Sequence, residues 1–165
     1  MKKAIVIALA ALTASACSSI SQQSLQQQYS NYLDVTPEYT GDSAFNNNSY
    51  WKLKKQNLQP QYPLAAAQNR DSGCVILDVA INENGKTEDY QIVDSFPAKV
   101  FDKSAIRLVK TWQWQATPQN TNKQQVVSRV KIDYLLFNAT TNKAIAGDPR
   151  VNLMCNDRKP QKSNV

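Results

Sequence analysis

From Gly73 to Ile81 the chain reads GCVILDVAI, so on an extended backbone Val75, Leu77, Val79 and Ile81 share one face while Cys74, Ile76, Asp78 and Ala80 share the other. A period of two predicts a strand. NENG at 82–85 supplies a turn in which Gly85 takes positive φ, and KTEDYQIVD returns as the second arm of a hairpin. Pro97 stands at a helix start, after which Phe101, Ala105, Leu108 and Trp112 recur at i, i+4, i+7 and i+11, with Val109 beside them. That spacing predicts one buried stripe, with Lys103, Arg107 and Lys110 as the solvated face. Beyond Pro118 and the polar run QNTNKQ, the segment VVSRVKIDYLLF, 126–137, reads as a third, long strand. Val126, Val130, Ile132, Tyr134 and Leu136 are its inward set, and Ser128, Arg129, Lys131 and Asp133 are read as outward.

Strand, strand, helix, strand predicts an α+β domain over 60–137, a three-stranded antiparallel-type sheet with one helix packed on a face. A right-handed crossover from the second strand places the third beside the first. Before this domain, residues 17–59 are rich in Gln, Asn and Ser, as in SQQSLQQQ and FNNNS, with scattered Tyr29, Tyr32, Phe45, Tyr50 and Trp51. Without sustained periodicity they read as a polar tether, with a short helix near Leu25 to Leu33. After it, the tail 138–165 carries Val151, Leu153, Met154 and Cys155.

The first sixteen residues change the setting. Met1, Lys2 and Lys3 precede the apolar AIVIALAALTASA and then Cys17, the layout of an export signal. The apolar run is shorter than the roughly 20 residues a membrane span needs. Ala14-Ser15-Ala16 fits an ordinary secretory cleavage site, and the same bond resembles the lipobox of bacterial lipoproteins, with Ala14 where Leu is usual. On the second reading Cys17 is the lipid attachment. Acylating it leaves Cys74 and Cys155 as a disulfide pair in an oxidising compartment; the alternative is two independent buried thiols. If bonded, Cys155 must reach the sheet face opposite the helix, because Cys74 is out of phase with Val75 and Leu77.

Formal charge is +6, two of those charges lying in Lys2 and Lys3, a mild excess rather than a nucleic-acid signature. The chain has no His, which removes His-dependent triads and imidazole metal sites. Asp and Glu are scattered and the cysteines lack metal-ligand spacing, so no catalytic residue, metal site or cofactor is expected. NATT, 138–141, matches a glycosylation sequon but reads as a turn.

PQYPLAA at 60–66, Gly73 before its alternating strand, NENG, FDKSAIRLVKTW at 101–112, QWQATP and the last strand form an ordered set over about Pro60 to Leu136. That set resembles the C-terminal domain of the TonB family, with Trp114 where Phe is common. The resemblance implies a non-enzymatic domain that accepts an extended peptide, the TonB box of an outer-membrane receptor, along the edge of the last strand. Such an edge templates a new strand through unpaired amides and carbonyls. Carried onto this chain, the edge is Val126, Val127, Ser128, Arg129, Val130, Lys131 and Ile132. Arg129 and Lys131 then favour an acidic peptide, or else guard the edge against aggregation.

An energy-transducing TonB is anchored by a transmembrane helix bearing a functional His and followed by a Pro-rich spacer; this chain has a signal-like start and no His. The expectation is a periplasmic, lipid-anchored binding protein, at the outer membrane, whose partner is a TonB-dependent receptor or another envelope protein. Two other readings stand beside it. One is an energy transducer that keeps its N-terminus in the inner membrane, and the other is a structural envelope lipoprotein whose edge strand is covered.

Overall fold

The computed structural model describes residues 23–36, 48–54, 59–138, 140–145 and 147–155. In chain order its elements are α1 (Leu25–Gln28), β1 (Leu33–Asp34), β2 (Trp51–Leu53), α2 (Leu64–Asn69), β3 (Gly73–Ile81), β4 (Thr87–Phe96), α3 (Asp102–Val109), β5 (Trp114–Ala116), β6 (Val126–Tyr134) and α4 (Arg150–Cys155). β3 pairs antiparallel with β4 on one side and with β6 on the other, so the strand after the helix does return beside the first arm of the hairpin. This is the expected α+β arrangement, with one strand added to its sheet and a small second sheet, β2-β5, beside it. The two-residue β1 runs parallel along the outer edge of β6, giving the sheet order β1-β6-β3-β4.

Every residue of β3 is buried, in both phases. Val75, Leu77, Val79 and Ile81 meet Phe101, Ala105, Leu108 and Val109 from the helix side, with Val126, Val130, Ile132 and Tyr134 of β6 completing the core. Removing such a side chain from water contributes about 1.5–3 kcal/mol, which fixes the strand phase firmly. Phe101 stacks on Tyr134 at 4.2 Å, and Tyr62 meets both rings edge-on. Trp112 and Trp114 are buried and contact edge-on at 5.6 Å.

The helix starts later than Pro97. Residues 97–101 form bends and turns, with φ 67° at Lys99, and α3 opens with Asp102, whose carboxylate suits a helix N-terminus. α3 ends at Val109, well before Pro118, and β5 intervenes, pairing with β2. Gly85 has φ +67°, and a Cβ there would lie 2.3 Å from the Trp114 carbonyl oxygen, so the hairpin turn needs glycine on both counts.

The larger departure is the tether. Leu25, Tyr32, Val35, Trp51 and Leu53 are all buried, and the Trp51 indole donates to the Gln124 carbonyl at 2.8 Å. The described parts of 17–59 are therefore folded onto the domain. The expected helix near Leu25 to Leu33 is one turn, Leu25–Gln28, closed by a Ser24–Gln27 capping box.

Both ends of the described chain lie on the sheet face away from α3. At one end, Leu25 and Tyr32 pack on Ala80 and Val127. At the other, Val151 and Cys155 pack on Cys74 with Phe96 alongside. A disulfide joins Cys74 to Cys155, with Cα atoms 5.9 Å apart. Cys155 thus reaches the face that the phase of Cys74 requires. No described helix is long and apolar enough to cross a membrane. The signal segment and Cys17 lie outside the described residues.

Candidate functional site: the outer edge of the last strand

Two main-chain bonds fix how β6 is oriented. The Leu33 amide donates to the Gln125 carbonyl at 3.0 Å, and the Val35 amide donates to the Val127 carbonyl at 2.9 Å. Main-chain groups of successive strand residues point to opposite sides, so odd-numbered residues of β6 turn theirs outward and even-numbered ones turn theirs to β3. Of the expected edge, Val127, Arg129 and Lys131 thus supply the outward backbone, while Val126, Ser128, Val130 and Ile132 serve the sheet.

The side chains divide differently from the expectation. Val126, Ser128, Val130 and Ile132 share the phase of the main core; Ser128, read as outward, is 3% exposed and lies on that inward side. The strand also stops at Tyr134 rather than 137, and Phe137 instead bridges to Ala144. There the Asn138 carboxamide oxygen accepts from the amides of Thr140 and Thr141, so the sequon is held as a turn.

Arg129 and Lys131 are not displayed as flanking charges. Arg129 forms a two-pronged pair with Asp78, its cross-strand neighbour on β3, at 2.7 and 2.9 Å. Lys131 is 2% exposed; its ammonium lies 3.3 Å from the Asp133 carboxylate and donates to the Cys155 carbonyl at 3.4 Å. Burial raises the Asp133 pKa, and the Lys131 charge pulls it partly back. A buried or half-buried cation satisfied inside its own fold is a poor reader of an acidic ligand. The alternation placed both residues on the face away from α3 correctly; it carried no sign that the segments around Leu25 and Cys155 would cover that face.

β1 occupies the start of the edge through register Leu33↔Val126 and Asp34↔Val127. Its grip comes from the flanking Tyr32 and Val35, buried in the satellite cluster and the main core respectively, while Leu33 and Asp34 face solvent. Three groups on β4 hold the lead-in. The Tyr32 hydroxyl donates to Glu88 at 2.5 Å, the Leu25 amide donates to the Gln91 side-chain oxygen at 2.6 Å, and Tyr29 reaches Asp89 at 3.4 Å. Desolvation and the neighbouring Glu88 push the Tyr32 pKa upward, keeping it a proton donor. Nothing in the sequence pattern marked these contacts, because each residue of the lead-in brings only one anchor.

Beside this junction lies a shallow recess of about 420 Å³, lined among others by Asn31, Tyr32, Tyr50, Asn120 and Gln124. It contains amides and aromatic rings but no paired acids. Among the described residues no group of three His, Cys, Asp or Glu is placed to hold a metal ion.

The Gram-negative bacterial TonB protein C-terminal family matches residues 58–136. No curated protein sequence matches the chain. A solved structure with a similar chain course is the solution NMR structure of the Pseudomonas aeruginosa TonB C-terminal domain, at 22% identity and a TM-score of 0.45, with 58% of this chain covering 98% of that one. Domains of this family are periplasmic interaction modules of the cell envelope that serve transport and contact outer-membrane receptors and envelope proteins. Over residues 58–136, just under half of its length, the chain thus matches the TonB C-terminal domain family, the family its ordered motifs resemble.

Proposed function

We propose that this protein is a non-enzymatic, lipid-anchored periplasmic module, tethered through Cys17, that takes an extended segment of an outer-membrane receptor or envelope partner by strand addition along 126–132. The observation that carries the reading is β1: the edge of β6 already accepts an extended segment in parallel register, through the carbonyls of Gln125 and Val127. A strand edge recognises main-chain geometry first and alternate side chains second. Cys17 acylation would keep the domain beside a membrane, and the N-terminal sequence supports the outer membrane as that anchor. Incorporating a photo-crosslinking residue at Gln125 in intact cells and identifying what it traps tests the reading. A TonB-dependent receptor or envelope protein trapped at that position is expected; crosslinks confined to the chain itself under transport-active conditions would refute it.

One observation favours a second reading. The same β1 pairing covers Val126 and Val127, as a structural envelope lipoprotein with a closed edge would require. Mass analysis of the mature N-terminus tests the anchor common to both readings.

A further inference from the structure

We propose that residues 32–35 are a built-in competitor for the edge of β6, so that a partner strand binds by displacing them. The inference rests on the strand-addition reading and adds to it a gate and a side-chain pattern for the partner.

Three observations converge. First, the segment sits as an added strand would, parallel to β6 and bonded to the Gln125 and Val127 carbonyls. Second, it is short and gripped at two points only: Tyr32 and Val35 are buried, and the residues between them face solvent. Third, it lies outside 58–136, the span the family model matches, so none of that span's strands, β3, β4, β5 and β6, includes it. Its side-chain clasp is local: Glu88 on the far strand of the sheet accepts from the Tyr32 hydroxyl, while Gln91 holds Leu25 in the lead-in.

Removing this strand would bare Val127 and empty the place of Val35 in the main core, and exposed apolar surface of that kind is unfavourable until refilled. Displacement is therefore like for like. The incoming segment must run parallel to β6 and carry a β-branched apolar residue three positions after an aromatic one, matching Val35 and Tyr32. Charge on the partner matters less, because Arg129 and Lys131 are engaged within the fold. A closed edge also shields a main-chain template from unwanted pairing while no partner is present.

The test uses the full-length protein and a labelled peptide of residues 30–36, SNYLDVT, as the probe. In the unaltered protein the attached copy outcompetes it, because only the fraction with an open edge binds. In a Tyr32→Ser, Val35→Ser double variant the peptide is expected to bind at least about tenfold more tightly than to the unaltered protein, and a Val35→Asp version of the peptide is expected to lose that gain. A double variant that keeps its circular dichroism and its disulfide yet binds no better overturns the proposal. Hydrogen exchange on the unaltered protein decides independently of how the variant folds. The Leu33 and Val35 amides are expected to exchange about 100-fold faster than the Ala105 amide in α3, through local opening. Equal rates would make β1 a fixed part of the domain and overturn displacement. Failure here leaves a Gln125 crosslink to a receptor unaffected, whereas an edge that opens but never traps a partner in cells condemns the strand-addition reading alone.

Discussion

Replacing Cys74 and Cys155 together by Ala removes the single covalent tie between the tail and the sheet. The bond closes a loop with a sequence separation of 81 residues. In the chain-entropy treatment, freeing a loop of that length lowers stability by about 4.5 kcal/mol at 25 °C. Domains of this size are typically stable by about 5–15 kcal/mol, so the doubly substituted protein is expected to be folded but close to its limit. Urea unfolding followed by tryptophan fluorescence measures it directly, since Trp51, Trp112 and Trp114 all lie in the core. The comparison must use extrapolated free energies rather than midpoints, because an uncrosslinked unfolded chain exposes more surface and raises the m value. A loss below about 1 kcal/mol would refute the reasoning, by showing that the unfolded chain gains little freedom when the crosslink is cut.

Trp51→Ala is expected to destabilise the domain by about 3–5 kcal/mol in the same assay, although Trp51 precedes the family span; a surface-like loss under about 1 kcal/mol would return that residue to a tether. Asp78→Ala leaves Arg129 half-buried without its carboxylate and is expected to cost about 2–3 kcal/mol, while adding Arg129→Ala recovers part of that loss. Strictly additive losses in a double-mutant cycle would contradict the pairing. Burial raises the Asp133 pKa above its unfolded value of 3.8, so the folded state takes up this proton first. The group's contribution to stability is then complete below 3.8 and disappears as pH rises through the folded pKa. Carboxyl NMR titration checks the value, and Lys131→Met is expected to raise it further, because the Lys131 charge now lowers it; an unchanged value would show that the two groups do not interact.

What was legible in the sequence is what long periodic patterns encode. β3, α3 and β6 each carry enough alternating or helical positions for the phase to be read, β4 follows from the NENG turn, and the crossover rule then fixes their order. Cysteine counting together with the phase of Cys74 even located the tail on the correct face. The short elements escaped because each brings one or two anchors into an otherwise polar stretch. Leu25, Tyr32 and Val35 sit among Gln, Asn, Ser and Asp, and no window there contains a repeat. Their burial is a property of surfaces supplied by residues far along the chain, Ala80 and Val127 for Leu25 and Tyr32 and the main core for Val35. Lys131 shows the same limit from the other direction, since alternation gives the face of a side chain but not whether a terminal helix will later cover that face.

For the proposed strand addition, that covering sets what the edge of β6 would be able to read. With α1 over one end and α4 over the other, the sheet has helix-bearing layers on both faces, and the charged phase of β6 is absorbed into internal pairs. An acidic ligand would have to break the Asp78 and Arg129 pair to gain a new one, an exchange with little net return in a partly desolvated site. Main-chain bonds have no such competitor among side chains, and the anchoring positions of Tyr32 and Val35 are shaped rather than charged. On the proposed strand addition, recognition at this edge would depend on backbone register and apolar fit, and a partner segment selected by it should bind with weak dependence on salt. Peptide affinity falling steeply between low and physiological ionic strength would argue instead that the exposed charges of α3, such as Lys103 and Arg107, carry the contact.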